Sequence, residues 1–147
     1  YIAKATADND KNKTKFRFIG DMEALPPALA EKCRKLENFT ADNEQVVNIA
    51  LNYGGRAEIV HAANEAVKQG KPITEETVSA RLYTADCPEP DMILRTGGET
   101  RLSNFLMWQS AYSELYFSKK LWPDFSTDDV DEAIEEFSKR RRRYGGI

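Results

Sequence analysis

Two short stretches carry the residue types and spacing that could do chemistry. Asn52-Tyr53-Gly54-Gly55-Arg56 follows the apolar run from Val46 to Leu51, and Arg95-Thr96-Gly97-Gly98-Glu99-Thr100-Arg101-Leu102-Ser103 follows Met92-Ile93-Leu94. Glycines let a backbone come close to an anion. Arginine supplies a planar fork that matches phosphate oxygens, and a helix beginning after either stretch would add free N–H groups and the positive end of its dipole. Arg95, Arg101 and Ser103 together read as an anion pocket whose guest is phosphate or diphosphate. The alternative is that the arginines pair with the nearby acids Glu99 and Asp91, and glycine pairs by themselves are ordinary turn punctuation. Glu114 follows the apolar-aromatic stretch Phe105-Leu106-Met107-Trp108. Beside a diphosphate its carboxylate could hold Mg²⁺, which takes one or two carboxylates plus substrate phosphates; otherwise it is a surface acid opening a strand.

The elements that would position these groups follow from periodicity. Phe16 to Gly20 alternates at period two and reads as a strand, and Val46 to Tyr53 is a second strand, apolar enough to be buried on both faces. Met92-Ile93-Leu94 and Glu114-Leu115-Tyr116-Phe117 are the third and fourth. Helices start at Pro26-Pro27, with Leu29, Cys33 and Leu36 inward, and at Arg56, with Ile59, Val60, Ala63 and Val67 inward as far as Gln69. Thr74-Glu75-Glu76 opens a shorter helix and Ser103-Asn104 caps another through Trp108. Ser126 or Thr127 caps a last helix that buries Val130, Ile134 and Phe137 and stops near Gly145-Gly146. Residues 1–10 have helical composition. Strands alternating with helices predict an α/β fold, a mainly parallel sheet flanked by helices, with ligands beyond the carboxyl ends of the strands.

Composition sets outer bounds. The chain has 147 residues, 41% hydrophobic and 31% charged, which suits one globular domain and not a disordered segment. A net charge of -3, from 21 basic and 24 acidic residues, argues against nucleic-acid binding. The basic run Lys139-Arg140-Arg141-Arg142-Arg143 suits a helix C-terminus opposite Asp128, Asp129 and Asp131; the other readings are nucleic-acid contact and a tail that reaches a phosphate on a partner subunit. Two cysteines far apart predict a reducing, cytoplasmic setting, and His61 alone excludes a His-rich zinc site. No apolar run approaches the roughly 20 residues of a membrane helix, and Tyr1-Ile2-Ala3-Lys4 lacks a signal-peptide core. Trp108, Tyr112, Tyr116, Phe117, Trp122 and Phe125 cluster, as core or as a dimer interface. His61 reads as an edge-of-core or surface residue and Cys33 as core; Cys87 has no assigned role.

The order of motifs resembles the cis-prenyltransferase family, and within it the bacterial undecaprenyl diphosphate synthases. Matching segments are Phe18-Ile19-Gly20-Asp21, Leu25-Pro26, Asn48 to Arg56, Asp91 to Glu99, Arg101 to Leu106, Trp108 to Phe117, Leu121 to Phe125 and Arg143 to Gly146. The resemblance implies condensation of isopentenyl diphosphate onto an allylic diphosphate such as farnesyl diphosphate, with Mg²⁺ assisting departure of the allylic diphosphate. It implies that Arg95, Arg101 and Ser103 bind isopentenyl diphosphate, with Leu102 contributing backbone, and that Glu114 is the Mg²⁺ glutamate. Arg143 and Gly145 match a C-terminal Arg-x-Gly tail that reaches the diphosphate site across a homodimer. The family's Asp-Gly-Asn-Gly-Arg-Trp and Asn-Trp-x-Arg segments have no counterpart here, so the essential Asp is not among these residues, and Thr100 stands where some relatives have His. The expectation is therefore the C-terminal part, residues 1–147, of a single cis-prenyltransferase domain, without turnover by itself. The alternative is a non-catalytic diphosphate-binding subunit, or the complementing half of a heteromeric enzyme. The implied protein is cytoplasmic or membrane-peripheral, with a product that partitions to the membrane.

Overall fold

A computed structural model describes residues 13–140. The expected helix at residues 1–10 and the tail residues Arg143 and Gly145 lie outside the described residues. The chain divides into two compact units, Tyr1–Ala85 and Asp86–Ile147.

The first unit is built on a parallel pair. Strand β1 (Thr14–Ile19) and strand β2 (Gln45–Ala50) run side by side, with Phe16 opposite Val47 and Phe18 opposite Ile49. Parallel neighbours need a crossover, and helix α1 (Pro27–Phe39) supplies it. Pro27 opens α1, where its missing N–H costs nothing. As expected, α1 turns Cys33 and Leu36 into the core, against Phe18, and Leu29, Phe16, Met22, Ile49 and Leu51 pack around them. Burial pushes the Cys33 thiol up and Glu37 adds to the effect, so this sulfur is a small apolar core group.

The outer edge of β1 is closed by side chains of α1 and its cap. Phe16 N–H donates to Thr40 Oγ1 at 3.0 Å and Phe18 N–H to Glu37 Oε1 at 2.8 Å. Thr40, itself buried, donates on to the Leu36 carbonyl at 2.8 Å. Satisfied edge amides cannot template another strand.

Two expectations for this unit are corrected. Strand β2 stops at Ala50 and not at Tyr53, and it is not buried on both faces: Val46 and Val47 remain 49% and 43% exposed. Its one strand neighbour among the described residues is β1, and α1 packs on the β1 side. Helix α2 (Gly55–Lys68) forms as expected, but its buried face is Glu58, Ala62 and Ala66, while Val60 and Val67 are exposed and Ile59 and Ala63 only partly covered. A carboxylate at position 58 hides this face from a hydrophobic pattern. Glu58 is tolerated inside because Tyr53 Oη donates to its Oε2 at 2.6 Å and Tyr83 N–H to its Oε1 at 2.9 Å. Helix α3 (Glu75–Ser79) begins at Thr74 in a reciprocal cap with Thr77 and packs on α2.

The second unit holds another parallel pair, β3 (Met92–Arg95) and β4 (Glu114–Phe117), in the register Met92 opposite Glu114 and Arg95 opposite Phe117. The helix expected from Ser103 to Trp108 is absent. The segment is a series of turns, with Ser103, Asn104 and Leu106 at φ of +48°, +66° and +44°, and a right-handed helix cannot contain that backbone. After a 3₁₀ turn at Trp122–Asp124 comes helix α4 (Thr127–Lys139), capped by Ser126 and Asp129. It ends at Lys139 and not near Gly145-Gly146, and it buries Asp129 and Ala133 rather than Val130 and Ile134, which are exposed; Phe137 is half-buried. No helix among the described residues is long and apolar enough to cross a membrane. The α/β class with parallel strands and flanking helices is as expected.

Gly20 marks a close approach of the ends of β1 and β2. It sits at φ +129°, and a Cβ there would lie 2.0 Å from the Leu51 carbonyl oxygen. Gly20→Ala therefore forces the ends of β1 and β2 apart. Urea unfolding is expected to show a loss of about 2 kcal/mol or more at an unchanged slope; a midpoint within error of the parent would refute the close approach.

Candidate active site

At the carboxyl end of β3, Arg95 is half-buried and turns across the loop that follows. Its Nη1 donates to Ser103 Oγ at 2.9 Å and also to the Arg101 carbonyl. A cavity of about 310 Å³ opens here, lined by Ile93, Leu94, Arg95, Leu102, Ser103 and Phe105. Four of the six are apolar, and one cation and one hydroxyl give the pocket a polar end. Such a lining suits a small guest with an anionic head and a short hydrocarbon body. Three of the expected residues, Arg95, Leu102 and Ser103, thus share one cavity.

Arg101 is placed differently. Its Nη1 pairs with Glu99 Oε2 at 2.5 Å, and both side chains are largely exposed. This is the acid-paired alternative for Arg101, while Arg95 has the pocket position.

The glycines hold the loop in shape. Gly97 and Gly98 adopt φ of +90° and +78°, a region costly for other residues. Their N–H groups donate to the carbonyls of Lys120 (2.7 Å) and Ser118 (2.9 Å). These two amides are therefore engaged with the segment after β4. With no helix starting at Ser103, the polar groups of the pocket are the Arg95 guanidinium and the Ser103 hydroxyl.

Glu114 begins β4, opposite Met92, whereas Arg95 pairs with Phe117. Three residues of strand separate the two positions, about 10 Å at ~3.3 Å per residue. The structure does not bring Glu114 to the Arg95 pocket of its own chain. Glu114 Oε2 accepts from Arg140 Nη1 at 2.9 Å, and Arg140 also bonds the Leu115 carbonyl (3.0 Å) and Glu136. Among the described residues no group of three or more His, Cys, Asp or Glu gathers as a metal site. Glu114 is thus a single carboxylate already paired with the Arg140 cation, and holding Mg²⁺ would require it to exchange that partner.

The first unit's loop keeps its polar groups internal. Asn52 Nδ2 donates to the Asp21 carbonyl at 3.1 Å and Asp21 N–H to the Asn52 carbonyl at 3.3 Å. Arg56 is exposed on the first turn of α2. His61 is exposed and stacks on Tyr83, ring centroids 5.2 Å apart, in keeping with the edge-of-core reading. Burial, with Asp21 and Glu58 nearby, pushes the Tyr83 phenol up.

Comparison with known proteins gives the family. Residues 1–145 match the prenyltransferase family model described as undecaprenyl diphosphate synthase. The chain belongs to the cis-prenyltransferase family. It is similar to the isoprenyl transferase of Fusobacterium nucleatum, 48% identical over 100% of this chain and 64% of that protein. It is also 50% identical to the isoprenyl transferase of Thermotoga maritima, over 93% of this chain and 61% of the relative. This cis-prenyltransferase chain thus spans about six-tenths of the length of those two relatives. A crystal structure of a probable undecaprenyl diphosphate synthase from Campylobacter jejuni superposes with a TM-score of 0.90 at 35% identity, over 99% of this chain and 69% of that one. Lavandulyl diphosphate synthase from Lavandula x intermedia, in complex with dimethylallyl diphosphate, gives 0.91 at 32% identity, over 99% and 66%.

Residues that sequence reasoning missed stand at the Arg95 pocket of this cis-prenyltransferase chain and behind its loop. Phe105 lines it, the Lys120 carbonyl accepts from the Gly97 N–H of its loop, and Asp129 pairs with Lys120. Asp129 stands three residues after Ser126 and is legible as a cap partner, but nothing local marks Lys120. Lys120 Nζ donates to Asp129 Oδ1 at 2.5 Å. Lys120 first, and then the Ser126 N–H and hydroxyl, hold the Asp129 carboxyl down at about 2, against an ordinary 3.8. A depressed pKa contributes stability that is fully present above about pH 4 and is lost as pH falls toward 2. Thermal melts from pH 5 to pH 2 are expected to show a steeper fall for the parent than for Asp129→Asn; parallel curves would refute the assignment.

Proposed function

We propose that the protein is the isopentenyl-diphosphate-binding part of an isoprenyl transferase that condenses isopentenyl diphosphate onto an allylic diphosphate of the farnesyl type. The observation that carries this reading is the cavity in which Arg95 and Ser103 stand at the edge of apolar walls. Arg95 and the Ser103 hydroxyl bind the diphosphate, and Leu102 and Phe105 exclude water from the five-carbon body. Arg101 joins the anion by exchanging Glu99 for it, a low-cost exchange between exposed partners. Arg143 and Gly145 complete the diphosphate contacts from the C-terminal tail. Glu114 holds Mg²⁺ in exchange for Arg140, and Mg²⁺ when bound supplies charge neutralisation on the departing diphosphate.

Association into a homodimer is part of the same reading. Trp122 and Tyr112, of the aromatic types that interfaces favour, are 74% and 66% exposed, and Val130 and Ile134 lie open on α4. The protein acts in the cytoplasm or at the membrane periphery, since a polyprenyl product is apolar enough to enter the bilayer. Nucleic-acid contact through the basic run gains no support, because Arg140 is engaged by Glu114 and Glu136.

Calorimetric titration of the 147-residue chain with isopentenyl diphosphate, with and without Mg²⁺, tests the pocket. Arg95→Ala is expected to weaken binding roughly tenfold or more, about 1.4 kcal/mol. Parent-like affinity in Arg95→Ala, or no heat from a folded parent, would overturn the reading. The same chain is expected to incorporate no radiolabelled isopentenyl diphosphate into lipid by itself; robust product would refute that.

A further inference from the structure

The Arg95 pocket depends on a loop that carries its own weak point. Residues 96–102 lead from Arg95, on one wall, to Leu102 and Ser103, on the other, through two consecutive glycines. Glycine has more conformational freedom to lose than any other residue. Left alone, such a loop would not hold Arg95 Nη1 and Ser103 Oγ at 2.9 Å. What restrains it is the turn after β4. Ser118 N–H donates to the Arg95 carbonyl at 2.8 Å, Gly97 N–H to the Lys120 carbonyl at 2.7 Å and Gly98 N–H to the Ser118 carbonyl at 2.9 Å. That turn is itself exposed. It is fixed from the other side by Lys120 Nζ on Asp129 Oδ1 at 2.5 Å. Asp129 is the firm end: it is buried in the first turn of α4, and its Oδ2 accepts from both the N–H and the hydroxyl of Ser126 at 2.8 Å.

We propose that Lys120, anchored by Asp129, is a positioning residue for the Arg95–Ser103 pocket, setting the Gly97–Gly98 loop through its own carbonyl without touching the ligand. This rests on the isopentenyl diphosphate reading of the pocket. The cation of Lys120 is committed to Asp129, so its contribution runs through the backbone. A Lys120 that bound the diphosphate directly would behave oppositely in one respect. Removing Asp129 would free its ammonium and leave anion binding equal or tighter, whereas a positioning role makes the loss of either partner weaken it.

The test uses the full chain, titrated with isopentenyl diphosphate, in Lys120→Met, Asp129→Asn, the double variant, Lys120→Arg and Arg95→Ala. Asp129→Asn keeps a side-chain oxygen for the Ser126 cap, so α4 retains its start. Lys120→Met and Asp129→Asn are each expected to weaken binding about tenfold, and their double variant no further, because both act through one ion pair. Lys120→Arg, which keeps the charge, is expected to stay within about threefold of the parent. Hydrogen–deuterium exchange without ligand reads the loop itself: Gly97 and Gly98 amides are expected to exchange faster in Lys120→Met and Asp129→Asn. Parent-like or tighter binding in Asp129→Asn, with Arg95→Ala still defective, overturns the proposal and leaves the pocket reading standing. Unchanged Gly97 and Gly98 exchange in both variants also overturns it. Parent-like binding in Arg95→Ala overturns the pocket reading and this proposal with it.

Discussion

The return of the Gly97–Gly98 loop onto the segment after β4 is the constraint on which the candidate site depends. Two parallel strands present their carboxyl ends together, but that alone leaves the chain beyond β3 free to go anywhere. The backbone bonds from Ser118, Gly97 and Gly98 bring it back across the strand ends. Arg95 and Ser103, eight positions apart in sequence, then meet on one cavity. Positive φ at both glycines makes the return possible, and Lys120, whose carbonyl accepts from Gly97 N–H, is itself paired with Asp129. The pocket has no helix N-terminus behind it, so its electrostatics rest on one guanidinium in an apolar wall, where charge is screened less than in open water.

The first unit shows the same economy in a different setting. Its parallel pair is held by a crossover helix that does two jobs. One face supplies Cys33 and Leu36 to the core, and the polar residues Glu37 and Thr40 satisfy the edge of β1. Glu58 plays the corresponding role for α2. Its two oxygens gather the Tyr53 hydroxyl and the Tyr83 amide, so the chain after β2 and the chain after α3 are tied to one carboxylate. Removing a partner from such a group leaves a buried polar atom unsatisfied, which costs more than the bond itself is worth.

Arg140 links the end of α4 to the start of β4. It reaches Glu114, the Leu115 carbonyl and Glu136 at once. A basic run that composition alone assigns to the helix dipole thus contains, at Arg140, a residue engaged in specific tertiary bonds, on the carboxylate that the family resemblance assigns to Mg²⁺.

Much of this was legible in the chain. The α/β class, all four strands and the helices α1 to α4 follow from periodicity and caps, because those signals are local: alternation at period two, Pro27 at a helix start, Thr74 and Ser126 as caps. The pocket residues Arg95, Leu102 and Ser103 follow from motif order. Tertiary structure decided what depends on partners distant in sequence. The buried face of α2 carries Glu58, which only Tyr53 and Tyr83 make tolerable inside. The segment from Ser103 has the residues of a helix cap but left-handed φ at Ser103, Asn104 and Leu106. Val46 and Val47 read as a doubly buried strand, yet burial requires neighbours that apolar composition cannot supply. Gly97 and Gly98 look like an anion cradle until Lys120 and Ser118 are seen to accept their amides. In each case the residue type records what a side chain can do, while the partner that uses it is set by the path of the chain.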